Sequence, residues 1–109
     1  MTLDAPSNYG VLMTTAPSRD EAARIAKLLI EEKLAACVQL LPIESFYIWE
    51  GKTQNEYEVL LLAKTRTALF ETAMMRIKDV HPYSVPEIAG TQFLAGFRPY
   101  LDWISEVTQ

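Results

Sequence analysis

The sequence predicts a single α+β domain with the element order β-α-β-β-α-β and an extra helix at its C-terminal end. Short apolar segments alternate with two segments of helical periodicity, and one glycine turn joins two long extended segments. The chain has 109 residues, of which 50% are hydrophobic and 22% are charged. A chain of this length and composition can bury a core as one domain, and it gains stability from oligomerisation.

The first part of the chain predicts a strand followed by an amphipathic helix. Residues 1–8 are expected to form a flexible tail, and residues 9–14, rich in Val and Thr, a first strand. Ser18 is followed three residues later by Glu21, which is the pattern of a capping box at a helix start. Apolar residues then recur at helical spacing, so this helix is expected to end near Glu32.

The middle of the chain predicts a long antiparallel hairpin. Residues 34–41 and 45–49 are extended and apolar, with a kink near Pro42, because proline cannot donate to a strand ladder. Gly51 provides the turn. The chain returns through residues 57–63, and within them the continuous apolar run of residues 59–63 is typical of a strand covered on both faces.

The last part of the chain predicts helix, strand and helix. Thr67 is a plausible N-cap for a second helix that ends at Val80, before His81 and Pro82. A short strand is expected at Ile88. A final helix begins near Pro99, and its predicted apolar face consists of Tyr100, Trp103, Ile104 and Val107. The complete order is that of the ferredoxin-like, split β-α-β arrangement.

Charge and composition exclude several functions. The net charge is −4 and the basic residues are scattered, so no basic surface for nucleic acid or for a membrane is expected. The first residues lack a basic segment followed by an apolar one, so we expect no signal peptide. Cys37 is the single cysteine, which suits a reducing compartment, and we therefore expect a cytoplasmic protein.

Three clusters of residues form a specific set of motifs. They are residues 34–38 (LAACV), residues 45–52 (SFYIWEGK) with Glu58 and Lys64 following, and residues 81–88 (HPYSVPEI). Together with the ending at residues 100–104 (YLDWI), these motifs resemble those of the divalent-cation tolerance (CutA) family. The resemblance runs from about Tyr9 to the end, and the set of motifs in this order is highly specific.

The resemblance implies a homotrimer in which long hairpins cross between subunits, as in the PII signalling proteins. It also implies a role in tolerance of metal ions, with copper as the usual ligand. It supplies no reaction, and no nucleophile–base arrangement is evident, so we do not expect an enzyme. Two alternatives stay open: a PII-like module that binds a small ligand or a protein partner, and an enzyme with an active site between subunits.

Two side chains are the sharpest candidates for metal ligands. A Cys37 thiolate is a soft ligand suited to Cu(I) or Zn, and the resemblance points to it, although a free cysteine on a strand is often a buried core residue. His81 is either a ligand or a residue that caps the preceding helix. Because a closed zinc site needs four ligands, carboxylates such as Glu58 and Glu87, water or a neighbouring subunit must complete the site.

Other side chains are candidates for a ligand cleft. Lys64 ends a strand, where its ammonium group could hold an anion. Glu58 lies on the same strand face, roughly 20 Å away, so the two need partners from elsewhere. Tyr47 and Tyr83 could line a cleft or pack in an interface. Trp49, near the turn, fits an anchor between subunits.

Overall fold

The computed structural model describes residues 4–109 and confirms the predicted α+β, ferredoxin-like architecture. Its four strands form one antiparallel sheet in the order β2-β3-β1-β4. The regular elements are β1 (Tyr9–Ala16), α1 (Arg19–Glu31), β2 (Cys37–Trp49), β3 (Lys52–Arg66), α2 (Phe70–Val80), β4 (Ile88–Gln92) and α3 (Arg98–Val107). None of the helices described for residues 4–109 combines the length and the hydropathy needed to cross a membrane.

The main core lies between one sheet face and the helices α1 and α2. It is built from fully buried residues on all of these elements, including Leu12, Ile25, Leu61 and Ile77. The predicted cap of α1 is present, because the Ser18 side chain accepts a hydrogen bond from the backbone N–H of Glu21 at 3.2 Å. These contacts hold α1 and α2 against the sheet.

The start of α2 differs from the sequence prediction. Thr67 does not cap the helix; it opens a 3-10 turn, Thr67–Leu69, and α2 begins at Phe70 without a side-chain cap. The helix ends at Val80 as predicted, with His81 in extended conformation before Pro82. Because the helix ends here, residues 81–87 lie beside the end of β1, where they form one side of the groove described below.

The β2–β3 hairpin is the longest feature of the molecule. β2 is continuous through Pro42, which pairs with Val59; an edge strand tolerates proline because its outer N–H groups need no partner in the sheet. At the turn, Glu50 and Gly51 have φ angles of 52° and 75°, as a two-residue type I′ turn requires. Residues 43–58 extend past the end of β1 as a two-stranded ribbon, called here the hairpin ribbon.

Helix α3 packs against the sheet through only part of its predicted apolar face. Its buried residues are Ile104, which the prediction included, and Leu101, which it did not; they form a small second core with Tyr9. The other residues of the predicted face, Tyr100, Trp103 and Val107, are 37%, 39% and 36% exposed. The helix carries apolar residues on two sides, and α3 packs its Leu101 side against the end of the sheet opposite the hairpin ribbon.

The sheet face opposite α1 and α2 is covered only in part. In the register of the sheet, Met13 pairs with Leu62, and Leu60 pairs with both Thr15 and Leu41. Val11, Met13, Leu60 and Leu62 are half-buried, and Leu41 is 43% exposed. We call this apolar area (Val11, Met13, Leu41, Leu60 and Leu62) the open sheet face. Within one chain, α1 and α2 therefore cover one face of β3, and the other face, which was also predicted to be covered, is covered only in part.

The described part of the N-terminal segment begins at Asp4 and leads into β1. Pro6–Asn8 form a 3-10 turn before β1, and the Arg98 guanidinium donates a hydrogen bond to the Asp4 carbonyl oxygen. The predicted tail covered residues 1–8, and residues 1–3 lie outside the described part of the chain.

Candidate functional site

A groove of about 740 Å³ lies where the hairpin ribbon meets the loop of residues 81–87. Strand alternation explains its floor, because every second residue of a strand points to the same face. Ser45, Tyr47 and Trp49 of β2 and Gln54, Glu56 and Glu58 of β3 line it, together with Thr15, Phe46, Pro82, Tyr83, Ser84, Val85 and Glu87. We call this feature the acidic groove (Glu56, Glu58 and Glu87).

Glu58 and Tyr83 form the most buried polar contact in the acidic groove. The Tyr83 hydroxyl donates a hydrogen bond to Glu58 Oε2 at 2.9 Å, and the Glu58 residue is only 8% exposed. Burial raises the pKa of Tyr83 well above its ordinary value, and the hydrogen bond to the Glu58 carboxylate raises it further. The phenol therefore keeps its proton at neutral pH and acts as a donor.

Tyr47 sits over the second carboxylate of the groove. It pairs with Gln54 in the strand register, which places it diagonal to Glu56. Desolvation raises the pKa of Tyr47, and the neighbouring Glu56 carboxylate raises it further. The structure thus brings together three of the predicted cleft residues, Tyr47, Glu58 and Tyr83, and adds Trp49 to the same lining.

His81 positions the loop that carries Tyr83. Its Nε2 lies 2.7 Å from the Thr15 carbonyl oxygen, and its Nδ1 accepts a hydrogen bond from the Tyr83 backbone N–H at 3.1 Å. A carbonyl can only accept, so Nε2 carries the hydrogen. Both ring nitrogens are therefore engaged within the chain. A metal ion could bind His81 only after one of these bonds is broken.

Cys37 and Lys64 lie together at the other end of the sheet. They are direct partners in the β2–β3 register, and the Lys64 ammonium group donates a hydrogen bond to Gln39 Oε1. Tyr100 of α3 is close by: burial raises its pKa, with a smaller contribution from Cys37. Lys64 does not line the acidic groove, because its six-residue separation from Glu58 spans roughly 20 Å of strand.

One chain does not gather the predicted metal ligands. Among residues 4–109, no three His, Cys, Asp or Glu side chains are clustered in a way that could hold a metal ion. The register puts Cys37 level with Lys64 and Val11, four residues along β1 from the Thr15 carbonyl that His81 contacts, roughly 13 Å. The donor set Cys37, His81 and Glu87 does not fit a metal ion within a single chain.

Sequence reasoning missed Glu56 and Gln54 as groove residues. The available signal was the alternation Gln54, Glu56, Glu58, which puts all three side chains on one face of β3. Fold and groove together define a small ferredoxin-like protein with an acidic groove, lined by aromatic rings, beside a long hairpin.

Comparison with known proteins identifies the family. Residues 10–107 match the model of the CutA1 divalent ion tolerance protein family. The divalent-cation tolerance protein CutA of Thermus thermophilus is 46% identical over 99 residues, which cover 90% of this chain and 96% of the relative. The chain belongs to the CutA1 family, as the sequence resemblance indicated.

Solved structures support the same assignment. A CutA structure from Archaeoglobus fulgidus, described as a periplasmic divalent cation tolerance protein, is 42% identical and superposes with a TM-score of 0.91, covering 93% of this chain and 99% of the other. CutA from Xylella fastidiosa is 36% identical with a TM-score of 0.91, over 94% of this chain and 100% of the other. The fold and the family are thus consistent.

Proposed function

We propose that this protein acts in divalent-cation tolerance as a homotrimer that binds the cation at a site completed between subunits. The observation that carries the proposal is the separation of the candidate donors in one chain: Cys37 begins β2, Glu87 lies on the loop before β4, and no three His, Cys, Asp or Glu side chains cluster within residues 4–109. A neighbouring subunit can supply the missing donors. The name of the CutA1 family, divalent ion tolerance, supports a role with metal ions.

Two surfaces support self-association. The open sheet face presents half-buried apolar side chains, and the hairpin ribbon exposes Phe46, Ile48 and Tyr57 by 71%, 76% and 82%. Apolar patches of this kind on a soluble chain are typical of protein interfaces, and a long uncovered edge strand invites pairing. We propose Trp49, which is 49% exposed, as an anchor in this interface.

Copper is the first ion to test. The Cys37 thiol is half-buried and free, and a thiolate is a soft ligand that suits Cu(I). Glu87 lies on the loop that lines the acidic groove, and His81 joins such a site only if it releases the Tyr83 N–H or the Thr15 carbonyl. The copper assignment therefore depends most directly on Cys37.

A metal titration tests this proposal. Reduced protein is titrated with Cu(I), Cu(II) and Zn(II) at buffered free-metal concentrations, beside Cys37→Ser and Glu87→Gln. We expect a dissociation constant below about 1 μM, equivalent to roughly −8 kcal/mol, that is lost in Cys37→Ser. Glu31→Gln, a change on the exposed side of α1, is the matched control for Glu87→Gln. Weak binding that neither variant changes would contradict the proposal.

A second candidate is a PII-like module that binds a small ligand. The observation that favours it is the acidic groove itself, which has a volume of about 740 Å³ and four aromatic rings in its lining, within the range of sites for small molecules. Retention of a metabolite by purified protein, in a variant that no longer binds metal, would favour this candidate.

We propose a cytoplasmic location and no catalytic activity. The single free cysteine suits a reducing compartment. His81, the residue best suited to general acid–base chemistry, uses both ring nitrogens for hydrogen bonds to the backbone. An enzyme with its active site between subunits remains the alternative, and loss of an activity on His81→Ala with the oligomer intact would favour it.

A further inference from the structure

We draw no further inference here: the strongest candidate, the apolar loop between β4 and α3 with its exposed Leu94 and Phe97 side chains, carries no proposal because nothing in the structure shows what covers it.

Discussion

The hydroxyl of Tyr83 donates a hydrogen bond to Glu58 Oε2 at 2.9 Å. This bond joins the loop that follows α2 to the base of the hairpin ribbon, two segments that are 25 residues apart in sequence. Because Glu58 is almost fully buried, the bond also offsets the cost of removing a carboxylate from water. The shape of the acidic groove depends on this pair.

Removing the Tyr83 hydroxyl is expected to destabilise the protein. In Tyr83→Phe, the buried Glu58 carboxylate loses its donor, and we expect the free energy of unfolding to fall by about 1–3 kcal/mol. Urea denaturation monitored by circular dichroism measures this change in the free energy of unfolding. Tyr57→Phe, at a site that is 82% exposed, is the control and should have no measurable effect. Equal stabilities for the two variants would show that the bond does not contribute.

The raised pKa of Tyr83 predicts a specific behaviour in alkali. An unfolded tyrosine ionises near pH 10, whereas burial and Glu58 keep Tyr83 protonated to higher pH in the folded protein. The native state then binds more protons, so this contribution to stability is complete below about pH 10 and is lost as pH rises through the folded pKa. Absorbance at 295 nm should show a late-titrating tyrosine, absent in Tyr83→Phe. Loss of an early phase instead would contradict this assignment.

The two hydrogen bonds of His81 predict a structural role in metal-free protein. His81→Ala removes the bonds to the Thr15 carbonyl and to the Tyr83 N–H, and we expect a loss of about 1–3 kcal/mol in the presence of a chelator. Thermal unfolding followed by calorimetry provides the measurement. If metal-free His81→Ala is as stable as the parent, the imidazole is not committed to the backbone and is available as a ligand.

Two glycines predict effects of different size. A Cβ on Gly10 would clash with the backbone oxygen of Thr91 and lie 2.9 Å from the Phe70 ring, so Gly10→Ala should separate β1 from β4 and cost about 3 kcal/mol. Gly51 has open space around it but a φ of +75°, so Gly51→Ala should cost about 1 kcal/mol. Chemical denaturation compares them. A larger loss for Gly51→Ala would contradict the packing at Gly10.

Much of the fold was predictable because local signals and the fold agreed. The capping box at Ser18, the turn at Gly51 and the stop at Pro82 each encode a boundary in one or two residues. The face of α3 was predictable only in part, because Ile104 is buried as expected whereas Tyr100 and Trp103 are partly exposed. Its sequence has apolar residues on two sides, and only the packing of Leu101 against Tyr9 selects one of them.

The candidate site was predictable only in part, for a reason of geometry. Tyr47, Glu58 and Tyr83 were chosen as cleft residues, and strand pairing and the loop after α2 do bring them together. Lys64 was grouped with them, but strand rise carries it to the end of the sheet beside Cys37. The spacing of residues along the sequence does not show how far apart strand pairing places their side chains.

Native mass spectrometry of copper-loaded protein reports subunit number and bound metal in one spectrum. We expect an ion of three times the 12.3 kDa chain mass that carries copper, with monomers produced by dissociation carrying none. A stable monomer that binds copper by itself, or a trimer that stays metal-free at saturating copper, would contradict a cation site completed between subunits.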